Sequence, residues 1–250
     1  MTEVSPLFLW GRIFSSFTEY VMNRHRDRFG KERKDTMQTG IRFDQEYETM
    51  PWHRVDAVVF DIGNILIRYA PKDFLEQLFP GDEQMQRDML ARVYQGKYWA
   101  SFDRGVMEYE DAAARLAEEY GGRYEDYMHA LTGWIELKKP IEEGWRVAQR
   151  CRRAGKQLYL LSNYPKRGYL RMREKFADRF EVFDGGVISW QCHFLKPEKE
   201  IYQLLIENYG LTPEKTLFID DMLGNVEGAQ KEGIHGFHMH EKGMMDRFFL

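Results

Sequence analysis

The order of apolar and polar positions divides the chain into strand-bearing segments and a helical middle. Val55-Asp56-Ala57-Val58-Val59-Phe60 is a largely apolar, β-branched run that stops at Asp61 and is followed by a Gly63-Asn64 turn. That is the pattern of a strand buried on both faces in a parallel sheet. Gln157-Leu158-Tyr159-Leu160-Leu161 ends in the same way at Ser162-Asn163, and Thr216-Leu217-Phe218-Ile219 ends at Asp220-Asp221. Gly186-Val187-Ile188-Ser189-Trp190 reads as a short strand, and residues 236–240 as a last one. Helical periodicity predicts helices over 142–153, 165–177, 198–209 and 224–233, the second with Pro165 in its first turn. Strand and helix in alternation predict an α/β fold, a Rossmann-like doubly wound parallel sheet with helices on both faces.

Residues 71–140 break that alternation, because no strand pattern occurs there. Helices are predicted over 82–95, 108–120 and 123–137. The second places Ala112, Ala113, Leu116 and Ala117 on or near one face and stops at Gly121-Gly122. Tyr94, Tyr98, Trp99 and Phe102 read as the packing core of this insertion, ahead of a stacking platform for a sugar. The predicted organisation is an N-terminal extension over 1–50, a core from 51–70 and 141–250, and a helical insertion over 71–140.

In the extension, Trp10, Ile13, Phe14, Phe17, Tyr20 and Val21 recur at helical spacing, and a run of mixed charge rich in Arg and Lys follows over 24–35. The segment lacks the basic start and the long apolar stretch of a signal peptide. The expectation is an amphipathic helix over 7–22 that docks on its own protein or on a homodimer partner, with contact to a membrane surface as the alternative. No apolar run approaches the roughly 20 residues of a membrane-spanning helix. A net charge of −4, with 30% charged residues, suggests a soluble protein and gives no reason to expect nucleic acid as a partner. Cys151 and Cys192 are the only cysteines, too few for a disulfide framework, and read as reduced thiols in the cytoplasm.

The candidate chemistry is gathered at one edge. Asp61, Ser162-Asn163, Lys196-Pro197 and Asp220-Asp221 all fall at predicted strand ends or in loops near them, where open α/β sheets bind ligands. Taken singly, each is ambiguous. Asp61 serves as readily for a helix N-cap as for a catalytic acid, Ser-Asn is a common turn, and a lysine before proline is an ordinary loop residue. Adjacent carboxylates repel one another unless a cation is present, so Asp220-Asp221 reads as a metal site ahead of a capping pair.

Taken in order, FDIGNIL, LLSN, LKPEKEIY and FIDDMLGNVEGA resemble the four motifs of the haloacid dehalogenase-like hydrolases, over Val55 to about His240. They are most similar to sugar-phosphate phosphatases of the α-D-glucose-1-phosphate phosphatase type, which also carry Gly-Asn after the first acid. The resemblance implies that Asp61 is a nucleophile forming an aspartyl-phosphate, which divides one slow hydrolysis into two easier steps. It also implies Mg²⁺ bound by Asp61, the Gly63 carbonyl and Asp221, with Asp220 in the outer shell. Phosphate would be held by the Ser162 hydroxyl, the Asn163 backbone N–H and Lys196, and Lys196 would also be catalytic. Residues 71–140 would be the family's small helical cap. The implied activity is Mg²⁺-dependent hydrolysis of small phosphate esters.

The pattern breaks at Gly63, where many relatives carry a second Asp that protonates the leaving group. Glycine has no proton to give, so protonation must come from elsewhere or matter less. His193 is a structural substitution or a stand-in acid, and Asn225 a polar residue of a helix start or a ligand to a metal-bound water or phosphate. Two other readings remain open. A 2-haloacid dehalogenase would use Asp61 on carbon without a metal, which the paired acids argue against, and a non-catalytic binding or regulatory protein could retain the fold.

Overall fold

The computed structural model describes residues 54–248, so the predicted helix over 7–22 lies outside the described residues. Strand β1 (Ala57–Phe60) is followed by a helical insertion of α1 (Pro71–Leu78), α2 (Glu83–Met89), α3 (Trp99–Asp103), α4 (Tyr109–Tyr120) and α5 (Tyr124–Gly133). Helix α2 runs on into a π-helical turn over Leu90–Tyr94. Then come α6 (Glu142–Arg153), β2 (Gln157–Ser162), α7 (Lys166–Lys175), α8 (Ala177–Phe180), β3 (Gly185–Ile188) and α9 (Ser189–Cys192). The chain closes with α10 (Lys199–Tyr209), β4 (Thr216–Asp220), α11 (Leu223–Lys231), β5 (His235–His238) and α12 (Met244–Phe248).

The five strands form one parallel sheet in the order β3-β2-β1-β4-β5, flanked by helices as the alternation predicts. β1 is central, and Val58, Val59 and Phe60 are fully buried, which is why its sequence is continuously apolar. Phe60 packs edge-on against Phe183, and Trp145 does the same against Phe180. The Trp145 indole also donates to the Leu66 carbonyl at 2.8 Å, tying α6 to the turn that follows β1. Gly144 makes that approach possible, since a Cβ there would lie 2.0 Å from the Ile65 carbonyl oxygen.

Several elements differ from expectation. The strand predicted through Trp190 ends at Ile188, because Ile188 pairs with Ser162 and β2 offers no partner beyond it. The helix predicted over 123–137 stops at Gly133, where the missing side chain admits the Phe74 ring, 2.6 Å from the position a Cβ would take. Helices α1 and α3 had no prediction, since eight and five residues give too little period to register. The two linkers of the insertion run side by side, with the Arg68 N–H on the Lys139 carbonyl (2.9 Å) and the Ile141 N–H on the Leu66 carbonyl (2.8 Å).

Candidate active site

The sheet register brings the candidate residues together. Phe60 pairs with Ile219 on β4, so Asp61 and Asp220 stand level on neighbouring strands. Phe60 pairs with Leu160 on the other side, which puts Ser162 one step beyond Asp61. The Lys196 ammonium, from the loop after α9, closes the group at 2.8 Å from Asp61 Oδ1, 2.7 Å from Asp220 Oδ2 and 3.0 Å from the Leu161 carbonyl. Asp61, Ser162, Lys196 and Asp220 are all buried, and Asp221 is partly so.

Burial sets the electrostatics. It pushes the Asp61 carboxyl up to about 7, with the Lys196 ammonium, paired with it at 2.8 Å, pulling it down and the Asp220 charge pushing it up. Burial also raises Asp221, against the Asn64 hydrogen bond. Burial alone would lower Lys196, but the charges of Asp220 and Asp61 hold it above the ordinary lysine range. Carboxylate oxygens of Asp61, Asp220 and Asp221 lie within 4.8 Å of one another, and one ammonium does not balance three carboxylates. An all-oxygen donor set with surplus negative charge suits Mg²⁺.

Within this group the side chains are already differentiated. Asp220 Oδ1 accepts the Met222 N–H at 2.7 Å, the Asn225 amide donates to both Asp220 oxygens at 3.1 Å, and Lys196 holds Oδ2. Protein donors thus fill Asp220, and Asn225 is its support. The Asn64 amide donates to Asp221 Oδ2 at 2.9 Å and its oxygen accepts the Tyr69 N–H at 3.1 Å. Asn64 sits at φ 52, in the left-handed region that asparagine tolerates. Asn163 has a role the sequence did not suggest, because its amide bonds the Lys196 backbone in both directions. Helix α7 starts only at Lys166, so the Asn163 N–H lies ahead of its first turn.

The two departures in the sequence resolve differently. A Cβ on Gly63 would meet only Asp61 Oδ2, at 3.7 Å, so glycine is not imposed by crowding. His193 is exposed at φ 63, with Nδ1 2.6 Å from the Arg104 carbonyl at the end of α3. The Arg104 guanidinium in turn binds the His193 carbonyl at 2.7 Å and pairs with Glu198, clamping the end of α3 onto the Lys196 loop.

Sequence reasoning missed the residues that the insertion brings to this edge. Tyr94, Tyr98 and Phe102 are buried core, as expected, but Trp99 is half-buried and its ring neighbours Tyr69 and Trp134 at 6.1 and 5.7 Å. Lys138 is buried, with Nζ 4.0 Å from the ring centres of both Trp134 and Tyr164 and no hydrogen-bond partner. Burial, with Lys175 adding to it and Asp103 opposing, drives its pKa well below the usual lysine value. Burial raises Asp103 to about 7, with Lys196 lowering it, Asp61 raising it and Lys138 lowering it. An isolated Asp or Lys in a charged helical segment carries no pattern that would single it out. Beside the acids, a cleft of about 960 Å³ opens along Asn64, Asp221, Arg68, Arg146 and Lys242.

Known proteins resemble this chain in sequence and in fold. The chain is 24% identical over 183 residues to a sesquiterpene phosphatase of Aspergillus oryzae, covering 73% of this chain and 89% of that one. It is 26% identical to an N-acetylmuramic acid 6-phosphate phosphatase of Pseudomonas aeruginosa, covering 72% and 79%. Among solved structures, a HAD family enzyme of Bacteroides thetaiotaomicron in complex with magnesium and inorganic phosphate superposes with a TM-score of 0.60 at 20% identity, covering 76% and 96%. An L-2-haloacid dehalogenase of Xanthobacter autotrophicus superposes with a TM-score of 0.56 at 19% identity, covering 74% and 77%. The family model of the haloacid dehalogenase-like hydrolases matches residues 55–233, and the chain belongs to that family.

Proposed function

We propose that the protein is a Mg²⁺-dependent phosphatase of small phosphorylated metabolites, with sugar phosphates as the leading class, acting through an aspartyl-phosphate on Asp61. The observation that carries this reading is the buried Asp61–Lys196–Asp220 group with Asp221 beside it at the carboxyl edge of the sheet. Asp61 and Asp221, with the Gly63 carbonyl, would hold the metal, and Asp220 would orient from the outer shell. When bound, Mg²⁺ supplies the positive charge that lets an anionic nucleophile approach an anionic ester.

Asp61 attacks phosphorus, and Lys196 holds the nucleophile in line and neutralises part of the phosphoryl charge. The Ser162 hydroxyl, beside Asp61, donates to a phosphoryl oxygen together with the Asn163 N–H. The helical insertion over 71–140 acts as a cap that keeps water from the strand ends. The N-terminal extension over 1–50 is a separate docking element, for a second copy of the chain or a membrane surface. Two free thiols fit a cytoplasmic protein. Among the described residues, no helix is long and apolar enough to cross a membrane.

A second reading concerns substrate. The aromatic cluster of Tyr69, Trp99, Trp134 and Tyr164 beside Lys138, with Tyr69 and Trp99 only partly buried, favours the apolar body of an isoprenoid phosphate as the alternative class. Phosphate release from a panel of sugar and isoprenyl monophosphates, with Mg²⁺ and with chelator, tests both readings. The expected result is metal-dependent turnover that Asp61→Asn abolishes. Full activity in chelator, or in Asp61→Asn, removes the mechanism.

A further inference from the structure

The absent acid at position 63 removes the proton donor that many relatives carry there, and the exposed His193 ring is engaged with the Arg104 carbonyl. The insertion offers a replacement. Asp103 is the last residue of α3, and its own carbonyl accepts a hydrogen bond from the buried Ser189 hydroxyl at 2.5 Å. The same hydroxyl accepts the Tyr164 N–H at 2.9 Å, two residues beyond Ser162. The next residue, Arg104, is paired with Glu198, two residues beyond Lys196. Gly105 then passes so close to the Trp190 backbone that a Cβ there would lie 2.6 Å from its carbonyl oxygen. Asp103 is therefore anchored to both core segments that carry Ser162 and Lys196.

Its carboxyl is not part of that anchorage. Among the described residues, no hydrogen bond or ion pair involves the Asp103 side chain, although the residue is partly buried. The charged and titratable groups that act on it electrostatically are Asp61 and Lys196 from the core, Tyr69 from the entry linker, Lys138 from the exit linker, and Tyr109 from the insertion. The Tyr109 hydroxyl is buried and also lacks a partner. A half-buried carboxyl with no partner of its own, held on a fixed backbone near another acid, is suited to hold a proton and then give it up, and burial with the nearby Asp61 charge raises it from the ordinary aspartate range.

We propose that Asp103 is the general acid and base of this enzyme, lent to the site by the helical insertion in place of Gly63. The proposal rests on the phosphatase reading above. In the first step an Asp61 oxygen bonds to phosphorus, the bond from phosphorus to the ester oxygen breaks, and that oxygen takes the proton of Asp103. In the second step the Asp103 carboxylate takes a proton from water, whose oxygen bonds to phosphorus as the bond to Asp61 breaks. Inorganic phosphate leaves, and Asp61 and protonated Asp103 are restored.

The test is kcat/KM over a series from p-nitrophenyl phosphate to alkyl phosphates, measured for the wild type, Asp103→Asn, and Asp103→Asn combined with Gly63→Asp. This parameter reports steps up to alcohol release, so it isolates the acid role. The wild type should show a shallow dependence on the leaving group. Asp103→Asn should lose roughly 10²–10⁴-fold on alkyl esters, the usual worth of general acid catalysis, and far less on the aryl ester, which needs no proton. Gly63→Asp should restore at least part of the alkyl activity, since a Cβ at that position makes only an ordinary contact, 3.7 Å from Asp61 Oδ2.

Equal losses on aryl and alkyl esters would make Asp103 a positioning residue and overturn the proposal, as would unchanged alkyl turnover. If Asp103→Asn does not fold, the wild-type series decides alone, because a steep dependence shows that no donor is present. A wild type inert on every ester with Mg²⁺ removes the phosphatase reading itself, an outcome distinct from the others.

Discussion

Asn163 and Lys196, thirty-three residues apart, clasp one another through backbone and amide. The Asn163 amide nitrogen donates to the Lys196 carbonyl at 3.0 Å, and the Lys196 N–H donates to the Asn163 amide oxygen at 2.8 Å. The ammonium that reaches Asp61 and Asp220 is therefore aimed from a backbone fixed to the end of β2. Asn163→Ala removes both bonds without touching the ammonium. Turnover should fall by roughly 10–100-fold, as for other supporting residues around a site, while the protein still melts cooperatively. Steady-state kinetics beside a thermal melt checks this, and unchanged kcat would show that the loop holds Lys196 without help.

Lys196 itself joins two buried carboxylates, and its side chain is 2% exposed. Lys196→Met leaves both acids without their cation in a site closed to water. Breaking a buried pair in this way costs about 3–5 kcal/mol. Urea unfolding in chelator should show a loss of that order, and Mg²⁺ should recover part of it by binding only the native state. A loss below about 1 kcal/mol would mean that the acids protonate and relax at little cost.

Asn64 orients Asp221 from a left-handed turn. Asn64→Gly keeps that backbone comfortable and removes the amide, so the change isolates the hydrogen bond. The Mg²⁺ concentration for half-maximal activity should rise roughly 10–100-fold, with kcat at saturating Mg²⁺ much less affected. An unshifted Mg²⁺ titration would separate Asp221 orientation from metal binding.

The stability of the metal-free protein should depend on pH through Asp61, which folding raises from an ordinary 3.8 to about 7. The folded state then holds this proton more tightly than the unfolded chain does. The stability so gained is full below about pH 4 and is lost as pH rises through about 7. Asp103, raised to about 7 as well, adds to the effect, so thermal melts in chelator should give a Tm that falls between pH 5 and pH 8, and Asp61→Asn should lessen that fall. A Tm that climbs across the same range in the wild type would contradict the direction of the shift.

Much of the scaffold was legible because strand burial leaves a direct mark on sequence. Residues 57–60 lie between two parallel neighbours, so both faces must be apolar, and the run stops where the chain emerges at Asp61. The same rule exposed the ends of β2 and β4, and helix α6 was read from its first residue to its last. Asp61, Ser162, Lys196, Asp220 and Asp221 could be picked out because each stands at or near such an end. Helices α1 and α3 were not legible, since short helices receive their stability from the surface they pack on and leave little period behind.

What the tertiary structure alone decided is which side chains meet across long separations. Local pattern records burial and period but not the partner on another element. Nothing near Asn163 announces that its amide will hold the Lys196 backbone, and nothing near Asn225 that it will hold Asp220. Asp103 and Lys138 read as ordinary charges of a helical segment until the fold brings the insertion onto the sheet edge. Their unusual character comes from loss of water and from nearby charge, and both are properties of the packed molecule.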